Sequence, residues 1–70
     1  MTSEQIELFA RPELGEVVQA IAPNRKGRIK FKASFWPARF YQGADTALPP
    51  EQVAVVGRQG ITLLVVALAS

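Results

Sequence analysis

Residues 27–39 read G-R-I-K-F-K-A-S-F-W-P-A-R, from Gly27 to Arg39. Apolar and basic residues alternate through Arg28–Ala33, the period-2 signature of a half-buried strand. Ile29, Phe31 and Ala33 are expected to face the core, and Arg28, Lys30 and Lys32 to face solvent. Ser34-Phe35 reads as a link to the next strand, Trp36–Tyr41. In that strand Trp36, Ala38 and Phe40 share one face, and Pro37, Arg39 and Tyr41 share the other. Pro37 has no N–H, so this strand belongs at an edge or donates nothing at that position.

The flanking segments follow the same logic. Gly15–Ala22 carries Val17, Val18 and Ile21, β-branched residues suited to a pleated, half-buried surface. Ala22-Pro23-Asn24-Arg25-Lys26-Gly27 has turn composition, with Pro fixing φ and Asn and Gly tolerating positive φ. The irregular stretch 42–50 ends in Pro49-Pro50. Gln52–Val56 follows as a strand with Val53 and Val55 on one face. Gly57-Arg58-Gln59-Gly60 reads as a hairpin turn. Ile61–Leu68 is apolar on both faces and needs cover on both. Thr2–Ala10 has weak helical character, with Thr2 or Ser3 as a cap and Pro12 as its end. Segments this short are marginal helices in water, below the ~12 residues at which isolated helices persist. Residues 1–14 are therefore expected to be flexible or a short helical lead, and residues 15–69 to form the folded domain.

Five short strands punctuated by turns, in a chain of 70 residues, point to an all-β fold. Two packed sheets need more chain than this, so a small closed barrel is favoured, of OB-fold or SH3-like type. Closure also removes exposed strand edges. A core of this size supplies only about 3–5 kcal/mol.

Composition narrows the chemistry. The chain has no cysteine and no histidine, which removes thiolate chemistry and the commonest general base and metal ligand. Its serines therefore lack a His partner. Asp45 and Glu51 have no spacing that suggests a shared site, and Gly57 and Gly60 precede a strand rather than a phosphate-binding helix. No enzyme activity and no cofactor are expected. The net charge of +2 conceals a segregation: residues 17–44 contain Arg25, Lys26, Arg28, Lys30, Lys32 and Arg39 and no acid. Such a centre attracts polyanions or anionic lipid headgroups. The acidic, polar first residues lack the basic-then-apolar pattern of a signal peptide, and none is expected. The longest apolar stretch, Ile61–Ala69 interrupted by Thr62, falls short of the ~20 residues a membrane-spanning helix needs.

An ordered set of residues carries a family likeness. Pro23, Gly27, Ile29, Phe31 and Trp36-Pro37-Ala38-Arg39, followed by Val53, Val55, Val56 and Gly57-Arg58-Gln59-Gly60-Ile61-Thr62-Leu63-Leu64-Val65, resemble the soluble C-terminal domain of NfeD-type proteins. The likeness spans about residues 15–66. It departs at Ala33 and Pro50, where the family often has Gly. The first departure implies a less distorted strand end, and the second a differently shaped approach to the fourth strand. The resemblance implies a five-stranded OB-fold barrel. It also implies a non-enzymatic interaction module that docks a stomatin- or flotillin-like membrane-associated partner. The expected location is cytoplasmic, with membrane association through that partner or through a tether. On this reading Arg28, Lys30, Lys32 and Arg39 steer docking or meet an anionic membrane surface. Phe35 and Tyr41 are the aromatics expected at the surface, since Phe31, Trp36 and Phe40 fall on core-facing positions. Weak single-stranded nucleic-acid binding is the alternative, because OB-folds stack bases on aromatics beside a cationic groove. A further alternative is self-association through the apolar fifth strand.

Overall fold

A computed structural model describes residues 5–42 and 45–68. It contains β1 (Ile6–Gln19), β2 (Gly27–Phe31), β3 (Ser34–Phe40), β4 (Gln52–Gln59) and β5 (Thr62–Ala67), with no helix among the described residues. The strands form a closed barrel in the order β1-β2-β3-β5-β4, with β4 returning to pair with β1. Every pairing is antiparallel except that of β3 with β5. This is the all-β, OB-fold-like barrel expected from the sequence.

The interior is a single apolar cluster built from Val17, Ile21, Ile29, Phe31, Ala38, Phe40, Val53, Val55, Leu63 and Val65, closed over by Ala47. Burial alternates strictly along β2: Gly27, Ile29 and Phe31 point in, and Arg28 and Lys30 point out. At the end of the barrel the backbone of Ile21 exchanges two hydrogen bonds with Ala47, each 2.9 Å. The β3–β4 connection thereby acts as a lid. Leu63, Leu64 and Val65 of β5 are all buried, at 3 % exposure or less, and the strand is paired on both edges. Ile61 and Leu68, at the two ends of the apolar stretch, stay exposed, at 72 % and 44 %.

Several local expectations are corrected. Ile6–Ala10 is not helical. It is the start of a 14-residue strand, with Ile6, Glu7 and Leu8 paired to Gln59, Arg58 and Gly57. A helix this short cannot recover its nucleation cost, whereas pairing with β4 and docking Phe9 on the core satisfy backbone and side chains together. Pro12 does not end the element. It sits where the β1–β4 register shifts between Leu8 and Glu13, outside the regular ladder. The cap expected of Thr2 or Ser3, and the expected boundary at Ala69, lie outside the described residues.

The turn positions also move. The β2–β3 turn is Lys32-Ala33, not Ser34-Phe35, and Ala33 is exposed rather than core-facing. Both turn residues have positive φ, 51° and 65°, because a two-residue hairpin loop of this hand matches strand twist. Alanine at position 33 thus retains the distorted conformation that its replacement of glycine had suggested would relax. Gly57 is not in a turn. β4 runs on through it to Gln59 because the start of β1 pairs with that end, and the hairpin is the pair Gly60-Ile61, with Gly60 at φ 62°.

Gly27 carries the tightest packing. A Cβ there would stand 2.4 Å from the carbonyl oxygens of both Gln19 and Ala20. Gly27→Ala should cost about 3 kcal/mol, the upper part of the range for overpacking. That corresponds to a fall in Tm of about 12–24 °C for a domain this small, read by thermal unfolding. Ala33→Gly should act in the opposite sense. Relief of the left-handed conformation is worth about 1 kcal/mol, to be seen as a higher urea midpoint with unchanged slope.

Candidate interaction surface

The outer face of β1, β2 and β3 is organised in cross-strand rows. One row runs Gln52, Glu16, Lys30, Phe35 across β4, β1, β2 and β3, and the next runs Gln19, Arg28, Pro37. Phe35 is 57 % exposed, an aromatic ring standing on solvent beside Lys30. The side chains of Arg28 and Lys30 are exposed and make no hydrogen bond or ion pair among the described residues.

The other two steering candidates are engaged within the domain. The Lys32 ammonium lies 3.3 Å from the Glu13 carboxylate and 5.6 Å from the centre of the Phe31 ring. Arg39 is half-buried and donates to Gln59 Oε1 and, at 3.3 Å, to the Phe40 carbonyl. Lys26 behaves similarly, donating to Thr62 Oγ1 at 3.1 Å. Lys26 and Arg39 thus reach to the β4–β5 hairpin and hold it. The four candidates do not form one free patch: the structure keeps Arg28 and Lys30 together and commits Lys32 and Arg39 elsewhere.

Among the aromatics, Phe31 and Phe40 are core and Trp36 is half-buried against it. Trp36 Nε1 is buried without a hydrogen-bond partner among the described residues. Tyr41 is half-buried. Phe35 is therefore the aromatic that projects. No group of three or more acidic side chains that could hold a metal occurs among the described residues. No helix there is long and apolar enough to cross a membrane.

A second feature lies where the sequence has turn composition. The end of β1 and the β1–β2 connection form a groove of about 660 Å³ lined by Gln19, Ala20, Ala22, Pro23, Asn24, Arg25 and Lys26. Ala22 and Arg25 exchange backbone hydrogen bonds, both 3.1 Å, which close Pro23-Asn24 into a tight tip. Turn composition is legible in the sequence at these positions, and the concavity is not.

The solved C-terminal domain of stomatin operon partner protein 1510-C from Pyrococcus horikoshii is similar to this chain. The two share 33 % identity and a TM-score of 0.69, with 81 % of this chain and 84 % of the other covered. The chain belongs to the NfeD-like family. No protein-family model matches it. No curated protein sequence matches it either. Within this NfeD-like barrel the free and the committed cations are separable by stability. Arg39→Gln should lower unfolding free energy by about 1.5–3 kcal/mol through loss of charge-assisted hydrogen bonds. Arg28→Gln should stay within about 0.5 kcal/mol of the parent. Urea denaturation of the two variants side by side is the check.

Proposed function

We propose that this NfeD-like domain is a non-enzymatic docking module for a stomatin-type, membrane-associated protein, and that Phe35 with Arg28 and Lys30 forms the docking face. The observation that carries the reading is the pairing of an exposed aromatic with two unengaged cations on adjacent rows of one rigid sheet. An aromatic anchor filling a partner's pocket supplies binding energy, and flanking charges supply orientation and encounter rate. The name of the similar solved domain, a stomatin operon partner, supports the class of partner.

Membrane association through this face alone is disfavoured by magnitude. A basic residue near an anionic surface is worth about 1 kcal/mol, so two free cations give weak attachment. The partner, or a tether, brings the domain to the membrane. Single-stranded nucleic acid is disfavoured by geometry, because such sites stack successive bases on several aromatics and this face offers one.

The test is equilibrium binding to a purified stomatin-type protein reconstituted in neutral vesicles. Phe35→Ala should weaken binding about tenfold or more. The double variant R28Q/K30Q should slow association and flatten its dependence on salt. Parent-like affinity and salt response in both variants would overturn the assignment of this face.

A further inference from the structure

The groove formed by the β1–β2 connection calls for an occupant of its own. Its volume of about 660 Å³ lies within the usual range for ligand sites, roughly 300–1,000 Å³. Its lining combines apolar wall (Ala20, Ala22, Pro23), two amides (Gln19, Asn24) and two basic residues (Arg25, Lys26), with no acid. Gln19 pairs across the strands with Arg28, so the groove borders the cationic docking face. The Lys26 head group is held by Thr62, and its stem serves as wall. The guanidinium of Arg25 makes no hydrogen bond or ion pair among the described residues.

We propose that this groove receives an acidic, extended peptide segment of the docking partner, with its carboxylates taken by Arg25 at the tip and Arg28 at the lip. This rests on the docking reading above and names the chemistry the partner presents. Arg suits the role because its planar fork binds a carboxylate through two parallel hydrogen bonds. Gln19 and Asn24 each offer a donor and an acceptor to the peptide backbone. Two features argue against a phosphate-bearing ligand. The amide N–H groups of Ala22 and Arg25, which a phosphate cradle would need, are already used within the turn. No aromatic side chain lines the groove, so a nucleobase has nothing to stack on. The reciprocal hydrogen bonds also hold the tip in place before binding, which lowers the cost of ordering it.

The experiment is an amide chemical-shift titration of the isotopically labelled chain with a capped pentapeptide, acetyl-Ala-Glu-Leu-Glu-Ala-amide. The same peptide with Gln for Glu, and inorganic phosphate, serve as comparison probes. The expected result is saturable shifts confined to residues 19–28, with a Kd of about 1 mM. Arg25→Gln should abolish saturation, Lys32→Gln should leave it unchanged, and the Gln peptide and phosphate should produce much smaller shifts. Shifts centred on Lys30 and Phe35, equal response to the Gln peptide, or stronger response to phosphate would each overturn the groove assignment. The titration uses no stomatin-type protein, so its failure is distinguishable from failure of the docking reading, which is decided by the Phe35→Ala binding assay.

Discussion

Everything in this barrel depends on β1 serving two neighbours at once. Glu16 is the pivot, paired to Gln52 of β4 on one side and to Lys30 of β2 on the other. One residue later, Val17 donates its N–H to the Glu51 carbonyl at 2.8 Å and pairs with Ile29 on the neighbouring strand β2. Without that double engagement the sheet would open, expose two edges and lose the enclosure that keeps Val17, Val53 and Val55 dry. Seventy residues can close a barrel only because the strand is long enough to change partners along its length and bend as it does so. The register shifts on either side of the pivot, between Leu8 and Glu13 and between Val17 and Gln19, accompany that bend. Gly27 is the matching concession on β2, where the carbonyls of Gln19 and Ala20 come too close for any side chain.

Closure also sorts the basic residues that dominate the middle of the chain. Those near the β4–β5 hairpin or the β2–β3 tip find acceptors within the domain: Thr62 for Lys26, Glu13 for Lys32, and Gln59 for Arg39. Arg25 on the β1–β2 connection and Arg28 and Lys30 on the outer face of β2 find none among the described residues. Proximity in sequence suggested a single stripe. Fold topology divides it into a structural half and an available half.

The parts of this arrangement that could be read from sequence are those governed by local periodicity. The alternation of Ile29 and Phe31 with Arg28 and Lys30, the double-sided burial of Leu63–Val65, and the exposure of Phe35 all follow from strand pattern and composition. The parts that could not be read depend on partners distant in the chain. Ile6–Ala10 becomes a strand because β4 offers a ladder about fifty residues further on, at Gly57–Gln59. Gly57 looks like a turn residue until that pairing extends β4 past it. Ala33 keeps a positive φ because the two-residue loop between Phe31 and Ser34 dictates it, whatever side chain stands there. The engagement of Arg39 is similarly invisible, since Gln59 meets it only after β5 is inserted between β3 and β4.

The distribution of volume explains why function is sought on the outside. The inward positions of all five strands are filled by one apolar cluster, and Phe9, Trp36 and the lid residue Ala47 pack onto it. A barrel of this strand number has room for side chains and little else. A chain without cysteine or histidine has little chemistry to place there in any case. What the core does provide is rigidity at the surface. Each outward residue of β2 alternates with an inward one that is locked by packing, so Arg28 and Lys30 are presented in register with Phe35 and with the mouth of the β1–β2 groove. A partner meeting this face finds an anchor, two unengaged charges and a preformed concavity in fixed relation. Fixed relation is what turns a generic cationic strand into a specific recognition surface, because affinity between folded surfaces is governed more by preorganisation and anchor quality than by contact area.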